Sequence, residues 1–385
     1  MPKGKARYFY DYTLLFAVIF IFALGLIIIY SGSQYAAVLD NKSPEFYFRK
    51  QLRYGCFGLA GAVFLSILNY RWLVKIWNAF FSKAAYVLSV LLLAATELSG
   101  LASHGKTRWL SIGGRSFQTA ELVKIGLIVF FAYYISKNMR EDNQREIAGK
   151  VIIMAVIPVV MILTQNISSA FIVAMIVAVM IFVSVKNYKV FAALGAATVA
   201  GLVSAKPLVR LAIEKNIISG RPSQYWMRRI VGWAAPEVFP DDAYQTVQSL
   251  YAIGSGGMTG HGLGESIQKF GKIPEVQNDM IFSIVCEEFG VIGAATLFLV
   301  FFYILYRIYE VARNAEDIHG TLLCTGVLAH LGIQIVLNIA VVTGVIPNTG
   351  VTLPFISYGG TALIVTMLEI GVVLSVAHKI KTGER

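Results

Sequence analysis

The sequence predicts an all-α integral membrane protein with about ten transmembrane helices and a long extracytoplasmic loop between helices seven and eight. Of the 385 residues, 57% are hydrophobic and only 14% are charged, whereas typical soluble domains have about 25% charged residues. The aromatic content of 12% excludes a disordered chain, because such chains are poor in aromatic residues. We therefore expect a single polytopic membrane domain spanning residues 1–385.

Ten apolar runs are candidate membrane spans, since a spanning helix needs about 20 mostly apolar residues. Only residues 164–166 separate the fifth and sixth runs, which leaves open one broken helix or a tight helical hairpin. The first run follows three basic residues, as in a signal peptide, but it is long for one, and we interpret it as a retained span. The runs are 13–30, 54–68, 84–101, 120–135, 151–163, 167–185, 190–205, 280–306, 322–342 and 361–376.

The distribution of basic residues predicts the orientation. With the N-terminus inside, the cytoplasmic segments contain 17 Lys and Arg residues, and the short outer segments 31–53 and 102–119 contain seven. Because cytoplasmic loops are enriched in Lys and Arg, both termini are predicted to be cytoplasmic. The net charge of +11 is explained by these basic residues between the apolar runs. Nucleic acid is therefore not expected as a partner.

Residues 206–279 form the predicted outer loop. A loop of this length is uncommon unless it is functional, and its amphipathic stretches are expected to lie along the membrane surface or to re-enter it. Its Gly-rich part, 254–264, is expected to form a close-packed or hinged turn, because the features of a nucleotide-binding loop are missing. The three cysteines lie in or beside apolar runs, and the sequence shows no spacing typical of a metal site.

One candidate site segment is 106–124. Arg108 and Trp109 lie on an outer loop, and Glu121 and Lys124 lie three residues apart on one face of the fourth helix. Charges at membrane depth usually pair or line a cavity. Glu121 and Lys124 therefore either line a substrate site or only fix helix packing, and Trp109 alone is also typical of an interfacial residue.

The outer loop contains further candidates. Arg229 lies among aromatic residues and suits an anionic headgroup, because a guanidinium can bind phosphate through two hydrogen bonds; attraction to the lipid surface is the alternative. Asp279 lies where the loop meets the eighth span. Burial there would suit a general base, although Asp is also a preferred helix N-cap. Glu275 is a second acid nearby.

Residues 343–362 contain two prolines and four glycines before the last span. Irregular backbone at membrane depth must line a cavity or be buried in protein, and we expect this segment to form a cavity wall.

Taken together, these motifs resemble the SEDS family, the RodA, FtsW and SpoVE group of bacterial cell-wall proteins, over nearly the whole chain. The matching stretches are Arg108 and Trp109, residues 118–124, Tyr244 and Gln245, Pro274 and Glu275, Asp279, Glu287 and Glu288, and residues 353–360. Around Asp279, the family's His-Thr-Asp-Phe is replaced by Gln277, Asn278, Asp279 and Met280.

The resemblance implies polymerisation of lipid II into glycan strands in the bacterial plasma membrane, together with a class B penicillin-binding transpeptidase. It implies that Asp279 is the catalytic base. The only cofactor considered is a divalent cation, Mg²⁺ or Mn²⁺. A transporter of lipid-linked precursors and a non-catalytic scaffold for a transpeptidase are the alternatives. The expected substrate-binding residues are Arg108, Trp109, Gln118, Glu121, Lys124, Arg229, Glu275, Ser357 and Tyr358.

Overall fold

The computed structural model describes residues 7–8, 10–71, 80–103, 106–112, 115–185, 188–218 and 220–382, in which twelve α-helices and five β-strands are formed. The helices are α1 (Tyr12–Leu39), α2 (Phe46–Ile67), α3 (Phe80–Ser99), α4 (Thr119–Asn138), α5 (Gln144–Gln165), α6 (Ile167–Ser184), α7 (Tyr188–Glu214), α8 (Tyr225–Ala234), α9 (Pro240–Ser255), α10 (Ile281–Arg313), α11 (Ile318–Val342) and α12 (Gly360–Ala377). The strands are β1 (Arg7–Tyr8), β2 (Leu101–Ser103), β3 (Lys106–Ile112), β4 (Arg115–Gln118) and β5 (Lys381–Thr382).

Each of the ten predicted apolar runs lies on a separate long helix, which confirms an all-α multi-pass membrane protein. Within the described ranges, nine helices are long and apolar enough to cross a membrane: α1, α3 to α7 and α10 to α12. The tenth, α2, has 22 residues, but Arg49, Lys50 and Arg53 make its first half more polar.

The fifth and sixth runs form a helical hairpin and not one broken helix. α5 ends and α6 begins at Asn166, whose side-chain oxygen accepts hydrogen bonds from the N–H groups of Ser168 and Ser169 at 3.0 and 3.4 Å. The two helices then pack against each other. An asparagine at an N-cap satisfies amide groups that would otherwise lack partners at membrane depth.

α11 lies at the centre of the bundle and packs against α4, α6, α10 and α12. α2 packs closely on α12, because a Cβ on Gly371 would lie only 2.6 Å from the carbonyl oxygen of Ala62. α7 differs from the other spans: it packs mainly on α8, and none of the residues in its most apolar window is buried. It also continues past the predicted end at 205 to Glu214, through Pro207.

A three-stranded antiparallel sheet, β2-β3-β4, follows α3 and was not among the elements predicted from the sequence. Its register places Trp109 opposite Gln118. The sheet therefore brings two predicted site residues together just before α4 begins.

The predicted cytoplasmic segments meet one another. β1 pairs with β5, which joins the two ends of the chain. Arg307 contacts Asp11 at 2.9 Å, and Arg71 contacts Asp317 at 2.8 Å. The predicted outer segments line a cavity at the other end of α2. The outer and the cytoplasmic segments are therefore separated by the length of the bundle.

Candidate active site

Asp279 lies at the junction between the long loop and α10, with 7% of its surface exposed. The N-cap of α10 is Met280, so the alternative that Asp279 caps this helix is wrong. Its backbone carbonyl instead accepts a hydrogen bond from Nδ2 of Asn338 at 2.7 Å, and the side chain of Asn348 lies near its carboxylate and favours the ionised form.

The electrostatic environment of Asp279 is a balance of opposing effects. Burial raises the pKa of Asp279 above its ordinary value of 3.8, and the charge of Glu275 raises it further. The charge of Arg229 opposes the rise. Because desolvation disfavours the ionised form, this carboxylate binds a proton more readily than an exposed aspartate, as a general base must.

Arg229, on α8, is held beside Asp279 by its own contacts. Its guanidinium donates to the hydroxyl of Tyr225 at 2.5 Å and to the carbonyl of Asn348 at 3.2 Å. It also lies over the Tyr225 ring, 4.5 Å from the centroid.

Arg229 and Asp279 both lie close to Gly350. Its backbone is left-handed, with φ of 71°, a conformation that favours glycine. A Cβ at this position would lie 3.5 Å from Nη1 of Arg229 and 3.9 Å from Oδ2 of Asp279. A cation and a carboxylate therefore face the same small volume.

That volume is part of a cavity of about 950 Å³. Six predicted site residues line it: Trp109, Gln118, Arg229, Glu275, Asp279 and Tyr358. Gly350, Thr352 and residues 358–360 form part of its wall, as predicted for the irregular segment before α12. Further lining residues include Lys50, Arg53, Tyr54, Phe57, Asn166, Gln245, Asn278, Thr352 and Ile364.

Glu121 and Lys124 form the predicted ion pair, 2.8 Å apart and buried, but they are not among the residues that line the cavity. The ammonium of Lys124 also contacts Gln334 at 3.3 Å, and Gln334 donates to the carbonyl of Thr352, on the cavity wall, at 3.0 Å. The pair therefore lies behind the cavity wall and supports it through Gln334. Direct contact between the pair and a substrate stays a prediction.

Two other predicted residues have different positions. The hydroxyl of Ser357 is buried and accepts a hydrogen bond from the N–H of Leu353 at 2.7 Å, so it shapes the loop and does not face the cavity. Arg108 lies on β3, and its side chain is outside the described part of the structure.

Backbone contacts join the two loops at the site. The N–H of Tyr358 donates to the carbonyl of Gln277 at 2.8 Å. Gln51 of α2 donates to the carbonyl of Ser357 at 3.0 Å and accepts from the N–H of Gly359 at 3.3 Å. Asp279 and Tyr358 are thereby fixed relative to each other, and burial raises the pKa of Tyr358.

Glu287 and Glu288 lie outside the cavity and anchor the loop that leads to it. Glu287 accepts hydrogen bonds from the Ser266 hydroxyl and from the N–H of Ile267 at 3.0 Å. Glu288 pairs with Lys269 at 2.9 Å. The Gly-rich run packs directly on this part of α10, because a Cβ on Gly260 would collide with the backbone of Glu288. This agrees with the predicted close-packed turn.

Sequence reasoning missed several cavity residues. Lys50, Arg53 and Phe57 have the i, i+3, i+7 spacing of one helix face, and this signal could have identified them. Asn348 lies in a segment that was expected to form a wall, but nothing in its sequence context indicated contact with Asp279.

The described residues contain no group of three or more His, Cys, Asp or Glu side chains that could hold a metal ion. Glu275 and Asp279 are the two carboxylates on the cavity wall. Mg²⁺ is often held by one or two carboxylates together with substrate phosphates, so these residues suit a cation that arrives with a phosphate ligand.

The fold and the cavity define a multi-pass membrane protein with a buried carboxylate and several cations at one end of its helical bundle. The profile of the FtsW/RodA/SpoVE family, described as "Cell cycle protein", matches residues 12–382, and the chain belongs to this family.

Among its relatives, the chain is 31% identical over 372 residues to the stage V sporulation protein E of Bacillus subtilis (strain 168), covering 96% of this chain and 97% of that one. It is 31% identical over 379 residues to the probable peptidoglycan glycosyltransferase FtsW of the same organism, covering 97% and 92% of the two chains.

Solved structures agree with this assignment. A chain from a peptidoglycan synthase complex, studied for its coordination of polymerization and crosslinking, superposes with a TM-score of 0.73 at 27% identity, covering 96% of this chain and 97% of that one. The crystal structure of the rod shape determining protein RodA of Thermus thermophilus has a TM-score of 0.66 at 24% identity, with 97% and 98% coverage, and supports the fold.

Proposed function

We propose that this chain is a peptidoglycan glycosyltransferase that polymerises lipid II into glycan strands in the bacterial plasma membrane. The observation that carries the proposal is the buried Asp279 carboxylate, which faces Arg229 across Gly350 in a cavity large enough for a sugar. The relatives named as glycosyltransferases support the same reaction.

The reaction transfers the glycan of a polyprenyl-pyrophosphate donor to a sugar hydroxyl of a second lipid-linked molecule. The acceptor oxygen forms a bond to the donor's anomeric carbon, and the bond from that carbon to the pyrophosphate oxygen breaks. The polyprenyl pyrophosphate leaves with the bonding electron pair, and the acceptor proton passes to the carboxylate of Asp279. A general base of this kind typically contributes about 10²–10⁴-fold to the rate.

Arg229 supplies positive charge where negative charge develops. Its guanidinium is held by Tyr225 and the Asn348 carbonyl, so little reorganisation is needed when the pyrophosphate leaves. Fixed charges directed at a developing anion are often the largest catalytic contribution. A Mg²⁺ or Mn²⁺ ion held by Glu275 and the substrate phosphates would neutralise phosphate charge in the same region.

The cavity is proposed to face the outside of the cell, with both termini in the cytoplasm. A class B penicillin-binding transpeptidase is the proposed partner, because a linear glycan needs peptide crosslinks to form a wall. The relative from the peptidoglycan synthase complex supports this pairing.

Asp279→Asn tests the assignment of the base. The amide keeps the size of the side chain but cannot accept the proton, so polymerisation of labelled lipid II by the purified protein should fall by about 10²-fold or more. A carboxyl whose pKa is raised on folding lowers the stability of the folded state progressively as the pH rises above its unfolded-state pKa, which is 3.8 for Asp279. The melting temperature of Asp279→Asn at neutral pH should therefore equal or exceed that of the wild type.

Glu275→Gln is the matched control, because Glu275 is an exposed carboxylate on the same cavity wall. It should lose less activity than Asp279→Asn. A rate near that of the wild type for Asp279→Asn would refute Asp279 as the base and leave Glu275 as the next candidate. Failure of the wild type to polymerise lipid II, with its transpeptidase present, would favour the scaffold or the transporter.

A further inference from the structure

The outer loop contains a segment in which polar side chains are buried and apolar side chains are exposed. We define the inverted segment as residues 258–270, which follow α9 and lead towards Asp279. Ser266 and Lys269 are 0% and 5% exposed. Four large apolar side chains are each more than half exposed: Met258, Leu263, Ile267 and Phe270. This arrangement is the reverse of that expected for a loop in water, so it indicates apolar surroundings.

The buried polar side chains contact ionisable residues of the helical bundle. The ammonium group of Lys269 pairs with Glu288 of α10 at 2.9 Å and donates to the hydroxyl of Ser31 of α1 at 3.1 Å. The hydroxyl of Ser266 donates to the carboxylate of Glu287. The polar side of the inverted segment therefore faces the protein. The four apolar side chains are on the other side and are not among the residues that line the cavity.

The ion pair of Lys269 with Glu288 also gives the depth of the inverted segment. Glu288 and Arg307 bound an uncharged stretch of 18 residues in α10. At about 1.5 Å of rise per residue, this stretch spans roughly 27 Å, close to the hydrocarbon thickness of about 30 Å. Ser31 lies 20 residues after Asp11, the partner of Arg307, and therefore reaches the same level along α1. Lys269 thus lies at the hydrocarbon boundary at the cavity end of the bundle.

The inverted segment is continuous with the lipid-facing surfaces of α10 and α1. The N–H of Ile292 donates to the carbonyl of Met258 at 3.1 Å. Val291 and Ile292 belong to the uncharged stretch of α10 and are both 56% exposed, so they face lipid. The ring of Phe270 lies 5.8 Å from the ring of Tyr35 of α1, measured between centroids.

We infer that the inverted segment is a membrane anchor, whose four apolar side chains enter the lipid leaflet at the cavity end of the bundle. Lipid explains the exposed apolar side chains better than a protein partner does. The segment lies at the hydrocarbon boundary, and its surface continues that of a spanning helix. Lys272, which is exposed just beyond the segment, is placed to contact lipid phosphates.

The anchor is close enough in the chain to affect the proposed active site. Asp279 follows Phe270 by nine residues, and Ile273 and Val276 between them are 3% and 2% exposed. Because these two side chains are packed in the protein, a displacement of the inverted segment would be transmitted to Asp279. This consequence rests on the proposed function, whereas the contact with lipid is testable without it.

The test uses the full chain in phosphatidylcholine nanodiscs, with the exposed Cys56 replaced by Ala and bimane attached to single introduced cysteines. Lipids brominated near the carbonyl end of their acyl chains quench a fluorophore at that depth, and iodide quenches one in water. Bimane at Ile267→Cys should be quenched by brominated lipid as strongly as bimane at Val291→Cys, and only weakly by iodide.

Ser223→Cys is the matched control, because Ser223 is an exposed position elsewhere in the outer loop. Bimane at this position should be quenched by iodide and not by brominated lipid. Iodide quenching at position 267 as strong as that at position 223 would overturn the anchor.

A class B transpeptidase added to the nanodiscs distinguishes lipid from a protein partner. Quenching by brominated lipid at position 267 should persist in its presence. Loss of this quenching on addition of the transpeptidase would show that the exposed apolar side chains form a protein interface, and the anchor would be overturned.

Ile267→Asp/Phe270→Asp tests the consequence for activity. Charges in the hydrocarbon region are costly, so the segment should leave the leaflet, and bimane at Leu263→Cys should lose its quenching by brominated lipid. Polymerisation of lipid II should fall about tenfold or more, because a small displacement of a catalytic group is costly. Ile267→Leu/Phe270→Trp stays apolar and should keep both the quenching and the activity.

The quenching and the activity can fail separately. Quenching at position 263 that is unchanged in the aspartate double variant would overturn the anchor. If the labels are quenched as expected but the wild type does not polymerise lipid II, the anchor is supported and the proposed polymerase function is refuted.

Discussion

The reactivity of Asp279 as a base depends on its pKa, which its neighbours shift in opposite directions. Burial and Glu275 raise its pKa, and Arg229 lowers it. Arg229 therefore has two proposed effects: it would supply charge to a leaving pyrophosphate, and its charge favours the ionised form of Asp279. These effects can be separated, because only the second changes the pH at which activity is lost.

We expect activity to fall on acidification as Asp279 is protonated, with a midpoint above 3.8, the ordinary value for aspartate. Arg229→Gln removes the charge that opposes burial, so it should move this midpoint to higher pH as well as lowering the rate. The measurement is the pH dependence of kcat/KM for lipid II polymerisation.

Arg228→Gln is the control for this measurement. Arg228 is the adjacent cation, but it is bound to the carbonyl of Pro222 at 2.8 Å and is not a cavity-lining residue. It should leave the midpoint unchanged. A midpoint that does not move in Arg229→Gln would show that another group controls the acid limb.

At the scale of the elements, α11 positions the site through side-chain hydrogen bonds to the backbone of site residues. His330, Gln334 and Asn338 recur every four residues, so they lie on one helix face. Asn338 donates to the carbonyls of Asp279 and Val351, both at 2.7 Å, and Gln334 donates to that of Thr352. His330 pairs with Glu369 of α12 at 2.8 Å. This face joins α10, α12 and the loop before α12.

Asn338→Leu should therefore misplace Asp279 without removing any group that contacts substrate. The change leaves two buried carbonyls without donors, at a cost of about 1–3 kcal/mol each. We expect a lower melting temperature and roughly tenfold lower kcat, with KM for lipid II within about twofold of the wild type.

A double-mutant cycle distinguishes positioning from general damage. In an Asp279→Asn background, Asn338→Leu should cause little further loss of activity, because the base is already absent. Asn138→Leu is the control, since the side-chain amide of Asn138 donates within its own helix, to the carbonyl of Tyr134 at 2.8 Å. Additive losses in the double variant would contradict the positioning role.

The elements differ in how far the sequence could predict them. The ten long helices follow from apolar runs, because a span in lipid must bond its own backbone internally. The strands β3 and β4 were missed, although the Gly113-Gly114 pair between them is a hairpin signal. The cavity could not be predicted from local patterns, because contacts such as Gln51 with Ser357 join residues far apart in the chain.

At the scale of the whole molecule, the contacts separate the two groups of predicted segments. β1 with β5, Asp11 with Arg307 and Arg71 with Asp317 join segments that the basic residues assign to the cytoplasm. The cavity joins Lys50, Trp109 and the loop of residues 206–279. The structure thus agrees with a common side for both termini, and the direction of the whole bundle rests on the 17 basic residues against seven.

Cysteine labelling in intact bacterial cells tests that direction. Ser223 lies before α8 and is exposed, as is Asp142 in the turn after α4. A membrane-impermeant maleimide should label Ser223→Cys and should leave Asp142→Cys unlabelled until the cells are permeabilised. The exposed Cys56 is first replaced by Ala, whereas Cys286 and Cys324 are buried and can stay. Labelling of position 142 alone in intact cells would put the cavity in the cytoplasm. A polymerase that builds an external wall could not then use Asp279 as its base, so the topology and the proposed function would fail together.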